Sequence, residues 1–132
     1  NDLAEVLHRD KMSLLAYSPL AGGMLTGKYL GGKKPPNTRY VLFDGLGARF
    51  RKPIVAEAVE EYAKVAKACN LTLGQLALGF VKSRWFLGSS IIGATSMEQL
   101  TANIADAQLV LPAEALAAIA AVQVRYPNPS GN

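Results

Sequence analysis

A single cysteine, Cys69, and a single histidine, His8, occur in 132 residues. One cysteine cannot form an internal disulfide, which fits a reducing, cytoplasmic setting. So sparse a set offers no Cys/His spacing for a metal and no nucleophile–base pair for covalent catalysis. His8 stands beside Arg9 and Asp10 on a helical stretch and reads as a surface residue. Long apolar runs are also missing: none approaches the ~20 residues that cross a bilayer, so no membrane partner is expected. The start, Asn1-Asp2-Leu3-Ala4-Glu5, has neither the basic residues nor the apolar stretch of a signal peptide. Acids are scarce in one window. Between Lys28 and Lys52, the bases Lys28, Lys33, Lys34, Arg39, Arg49, Arg51 and Lys52 face only Asp44.

What is present suits one packed α/β domain, since 50% of residues are hydrophobic and only 18% are charged. The net charge of +4 is concentrated in the window just described, among glycines and prolines. Such a loop fits an anionic ligand, although charge alone favours a solvated segment whose charges only keep it soluble. Nucleic acid is not expected as a partner. Only Tyr40, Phe43 and Phe50 interleave with the bases, and no nucleic-acid-binding motif accompanies them.

Residues 3–9 read as the end of a helix, and Met12-Ser13-Leu14-Leu15-Ala16-Tyr17 as a short strand ending at Ser18-Pro19. Nearly continuous apolar runs of this kind belong to parallel strands covered on both faces. Residues 20–53 gather Gly22, Gly23, Gly27, Gly31, Gly32, Pro35, Pro36, Gly45, Gly47 and Pro53. They predict a long basic loop over 30–53, with a helical turn around Leu42–Phe50. From Pro53, Val55, Ala58, Val59, Tyr62, Ala66 and Cys69 keep helical spacing as far as Asn70. Thr72 and Gln75 form a capping box for a helix carrying Leu73, Leu76, Ala77, Phe80 and Val81. Ser90-Ile91-Ile92 predicts a second strand ending at Gly93. Ser96 and Gln99 offer a second box, for a helix turning Leu100, Ile104 and Leu109 inward. Pro112 suits the first position of a last helix with Leu116, Ile119, Ala120 and Gln123 inside, followed by a frayed tail over 126–132. Strands separated by helices imply parallel pairing with crossovers. Two such strands make a small sheet that wants neighbours, so self-association through uncovered strands is a further expectation.

Two segments offer chemistry. Tyr17-Ser18-Pro19-Leu20-Ala21-Gly22-Gly23-Met24-Leu25-Thr26-Gly27-Lys28-Tyr29 follows a strand and could bring backbone amides and a lysine to a phosphate. Gly22 to Lys28 reads G-x-x-x-x-G-K, but Tyr29 stands where a nucleotide hydrolase needs a hydroxyl for Mg²⁺, and no acidic strand partner follows. Ile91-Ile92-Gly93-Ala94-Thr95-Ser96-Met97-Glu98-Gln99-Leu100-Thr101-Ala102-Asn103 runs from a strand into a helix N-terminus, where a dipole favours an anion. Alone it reads as no more than a well-capped helix after a strand.

The pairing of these two segments, separated by two helices, resembles the aldo-keto reductase superfamily. It is closest to the branch holding the Tas-like reductases and the potassium-channel β subunits. The resemblance implies the C-terminal portion of a (β/α)8 TIM barrel, with strands seven and eight and their helices, over residues 1–132. In such barrels phosphate sites lie in the loops after those strands. It also implies NADPH as cofactor and a small-molecule aldehyde or ketone as substrate of the full-length protein. By the same likeness, Tyr17 stacks on the nicotinamide ring, where some relatives use tryptophan. Ser18, Pro19, Leu20, Ala21 and Gly22 wrap the pyrophosphate, Lys28 closes over it, and Arg39 reaches the adenosine phosphate. Gly93, Thr95, Gln99 and Asn103 surround the 2′-phosphate and adenine. Ala102 departs from the pattern, since many relatives carry a glutamate there that grips the adenosine. The family's Asp, Tyr, Lys and His acid–base set comes from earlier strands. None of its positions falls in this sequence, so the chain by itself is expected to be inactive. Taken one at a time, each assigned residue has a plain alternative: Gln99 only capping a helix, Asn103 only facing solvent, Tyr17 only ending a strand. A non-catalytic nucleotide- or partner-binding module on the same fold stays open beside the reductase reading.

Overall fold

The computed structural model describes residues 2–43 and 45–131. Its elements run α1 (Asp2–Arg9), β1 (Leu14–Tyr17), α2 (Arg39–Leu42), α3 (Pro53–Ala68), α4 (Leu73–Lys82), β2 (Leu87–Ile91), α5 (Met97–Asp106) and α6 (Ala113–Arg125). Between β1 and α3 the chain is mostly short turns, tight ones at Ala21–Thr26, Leu30–Gly32 and Ala48–Phe50. The expected helical turn around 42–50 is therefore split, with α2 before Phe43 and a separate turn at Ala48–Phe50.

β1 and β2 pair in parallel, Leu14 with Leu87 and then Leu15, Ala16 and Tyr17 with Ser89, Ser90 and Ile91. The register skips Gly88. A Cβ at that position would come within 2.8 Å of the Ser13 Cβ, so only glycine allows the two backbones to meet there. β2 thus begins earlier than expected and leaves Ile92 outside. Leu87-Gly88-Ser89-Ser90 lacks an apolar pattern, and what makes it a strand is its backbone pairing with β1. Nor are the strands covered on both faces. Leu14 and Ala16 are half-buried, whereas Leu15 is 62% exposed and Ile91 53%. One face of this small sheet is open in the chain.

The core lies among the helices. Val55, Val59 and Ala66 of α3, Leu73 and Leu76 of α4, Leu111, and Ala115 and Ile119 of α6 form one buried cluster. α3 and α4 follow their periodicity. The α4 capping box is complete, with Gln75 N donating to Thr72 Oγ1 at 3.1 Å and Thr72 N donating to Gln75 Oε1 at 2.9 Å. α6 is turned from its expected phase: Ala115, Ile119 and Val122 are buried, while Ala120 and Gln123 are exposed. α5 is displaced likewise. Leu100, Asn103 and Ala107 share the covered side, and Ile104 is 53% exposed. Pro112 caps α6 rather than opening it. The tail over 126–131 is docked rather than frayed, because the Lys52 ammonium donates to the Gly131 carbonyl and Gly131 N donates to Asn128 O at 3.1 Å, while Asn132 lies outside the described residues. On the outer surface Glu61 accepts from Lys64 at 2.6 Å, which with Arg125 at 3.5 Å draws its carboxyl below the usual range. Such exposed pairs add little stability.

Candidate functional site

Parallel pairing sends the segments after Tyr17 and after Ile91 out of the same end of the sheet. The two segments picked out by chemistry are therefore neighbours in space.

The first folds as linked turns. Ser18 and Ala21 adopt φ of 55° and 48°, the left-handed region that costs a side-chain-bearing residue about 1–2 kcal/mol. Ala21 N donates to Ser18 O at 2.9 Å and Gly23 N to Leu20 O at 2.8 Å, which hold these conformations. Beyond them Met24, Leu25 and Leu30 pack onto the helical core and anchor the segment. Lys28 folds back so that a Cβ on Gly23 would lie 3.1 Å from its Nζ. Its ammonium also stands 5.2 Å from the Tyr29 ring centroid. The Tyr29 hydroxyl is buried without a hydrogen-bond partner.

The basic loop closes over this segment. Tyr40 donates its hydroxyl to Ala21 O at 3.4 Å, and its ring lies 5.1 Å from that of Tyr29. Gly22, at φ 65°, is where they meet: a Cβ there would fall on the Tyr40 hydroxyl and within 3.3 Å of Phe50. Burial, and then the neighbouring Tyr29, raise the Tyr40 pKa, while Arg39, Arg51 and Arg49 pull it the other way. The Arg49 guanidinium reaches 4.6 Å from the Phe50 centroid and 6.0 Å from that of Tyr17. Tyr17 itself is 66% exposed at the end of β1. Arg39 opens α2 on the surface.

In the second segment Gly93, Thr95 and Gln99 are exposed. Ser96 Oγ accepts from Gln99 N at 3.2 Å, but the Gln99 side chain does not complete the expected box. Its Oε1 instead accepts from Thr95 N at 3.0 Å and Thr95 Oγ1 at 3.2 Å. Asn103 is set apart from these three, being buried on α5. Among the described residues no group of His, Cys, Asp and Glu could hold a metal, and no helix is long and apolar enough to cross a membrane.

After β1 the chain offers an exposed tyrosine ring with the Arg49 guanidinium near it and Lys28 against Tyr29, and after β2, at the same end of the sheet, the capped N-terminus of α5. The profile of the aldo/keto reductase family matches residues 1–124. The chain belongs to that family. Among aldo/keto reductase relatives, Protein tas of Escherichia coli (strain K12) is 41% identical over 128 residues, covering 97% of this chain and 37% of the relative. An aldo-keto reductase of Babesia bovis is 41% identical over 95 residues, 70% of this chain and 33% of the relative. A probable voltage-gated potassium channel subunit beta of Arabidopsis thaliana is 35% identical over 95 residues, 70% of this chain and 29% of the relative. The chain thus spans about a third of the length of these aldo/keto reductase relatives. The mixed α/β fold with its small parallel sheet is consistent with part of the family's fold.

Two residues in this arrangement escaped the reading of the sequence. Arg49 counted there only as one base among seven, and Tyr40 only as an aromatic among charges. The glycines at 22 and 47 were the available signal, since Tyr40 packs against both.

Proposed function

We propose that this chain is the cofactor-binding part of an NADPH-dependent aldo-keto reductase. It would correspond to strands seven and eight of a (β/α)8 barrel, in a protein that reduces a small aldehyde or ketone to the alcohol. The observation that carries the reading is the parallel register of Tyr17 with Ile91, which brings both glycine-containing turns to one end of the sheet. Ligands of parallel α/β folds bind at that end.

In this reading the exposed Tyr17 ring supports the nicotinamide, an aromatic face suited to stacking. Ser18 to Gly22 wrap the pyrophosphate, and Lys28 neutralises it. Gly93, Thr95 and Gln99 hold the 2′-phosphate at the N-terminus of α5, with Arg39 as a further cation. Asn103 is buried, so a role for it at the adenine requires α5 to expose it. NADPH supplies the hydride when bound. The family's acid–base set lies outside this chain, so the chain alone binds and orients but does not reduce.

Cofactor titration tests the reading. Replacing Arg39 with alanine should weaken NADPH by about 1.5–3 kcal/mol, the value of a charge-assisted hydrogen bond, and leave NADH nearly unchanged. Equal losses would move Arg39 to the shared pyrophosphate. No loss for either cofactor would make the loop a solvated segment.

A second reading, a non-catalytic nucleotide- or partner-binding module, draws support from the channel-subunit relatives. Cofactor binding by the full protein without turnover of any aldehyde would favour it.

A further inference from the structure

Arg49 brings a positive charge to the exposed Tyr17 ring at the end of β1. Its position is set by the loop around it. Phe50 N donates to Gly47 O at 2.8 Å and Arg51 N to Ala48 O at 3.0 Å, so a tight turn holds Arg49 in its middle. Tyr40 and Phe50, packed against Gly22, tie that turn to the segment following β1. The guanidinium then stacks at 4.6 Å from Phe50 and stands 6.0 Å from the centre of the Tyr17 ring. The ion pairs among the described residues join Arg9 with Asp10, and Glu61 with Lys64 and Arg125; none of them involves Arg49.

We propose that Arg49 is a specificity-determining residue that disfavours the oxidised cofactor relative to the reduced one. The proposal rests on the assignment of Tyr17 to the nicotinamide ring made above. An oxidised nicotinamide is a pyridinium with one positive charge, whereas the reduced ring is neutral. The phosphates, riboses and adenine are the same in both. A cation beside the Tyr17 ring therefore acts on the one group that distinguishes them. For unit charges about 7 Å apart in a solvent-exposed setting, the repulsion corresponds to roughly a three- to sevenfold difference in affinity. Salt weakens it, because the pair is open to solvent. Reduced cofactor is held and oxidised cofactor is let go, which suits a reductase.

The test is the ratio of Kd for NADP⁺ to Kd for NADPH, measured by protein fluorescence and by calorimetry at low and high salt. The unaltered protein is compared with Arg49→Met and Arg49→Lys, each checked by circular dichroism for an unchanged fold. The expected result is a ratio three- to sevenfold smaller in Arg49→Met, retained in Arg49→Lys, and compressed by salt in the unaltered protein. A ratio unchanged in Arg49→Met overturns the proposal. So does parallel weakening of both forms, which would put Arg49 on the shared phosphates. In either case the unaltered protein still binds cofactor, and the assignment of the site stands. If the unaltered protein binds neither form, that assignment fails and the Arg49 proposal fails with it.

Discussion

The helical layer and the loop region after β1 are built on opposite terms. α3, α4 and α6 share a close-packed cluster in which Leu76 is 2% exposed and Ala115 wholly buried. Among the described residues of 21–50 no side chain is fully buried, and the segment is held by Met24, Leu25 and Leu30 on the core and by Tyr40 on Gly22. Stability comes from the first region, while the second carries the candidate chemistry. Strained residues such as Ser18 and Ala21 persist in the second because the hydrogen bonds of their turn and the packing of Met24, Leu25 and Leu30 on the first hold them in place.

Three substitutions probe that contrast. Leu76→Ala should cost about 2–5 kcal/mol in chemical denaturation, as truncations of buried leucines do. A loss below about 1 kcal/mol would mean that the helical core is loose and the contrast false. Gly22→Ala puts a side chain at φ 65° against Tyr40 and Phe50, a strain of about 1–2 kcal/mol. Opening of the loop should relieve it. Tryptic cleavage within 33–51 is expected to quicken about tenfold, with the denaturation midpoint nearly unmoved; a large fall in the midpoint would show that the loop is part of the cooperative unit. Leu15→Ala should change stability by less than about 0.5 kcal/mol, since Leu15 is 62% exposed. A larger loss, growing with protein concentration, would reveal a second copy covering the sheet.

Where side-chain pattern dictates structure, the sequence could be read. α3 has well-spaced valines with charges opposite, and Thr72 with Gln75 marks the start of α4 unambiguously. Where alanine dominates, as in α6, small apolar residues occupy every face and the phase is lost, so Ala120 was placed inside and Val122 overlooked. β2 was misplaced because Gly88, Ser89 and Ser90 are recruited by the backbone of β1, a partner distant in sequence. Asn103 and Ile104 exchanged places because the packing of α5 against α4 sets that helix's rotation, and its own periodicity does not. The neighbourhood of the two turns followed from parallel pairing. The arrival of Arg49 at Tyr17 did not, since a loop with left-handed glycines at 31, 32, 45 and 47 has no period to read.

The pairing of Leu14 with Leu87 has a cost that is entropic and non-local. No strand residue is hydrogen-bonded to a close neighbour in sequence through this sheet, so the chain between must first be gathered up. α3 and α4 do the gathering, by packing on each other and on α6. The spacing between the turn at Gly22 and the turn at Gly93 is therefore not a property of either turn. It is fixed by the β1–β2 register, and that register closes only once the helices between the strands have packed, so loosening the helical layer makes the pairing harder to close while leaving every residue of the two turns untouched.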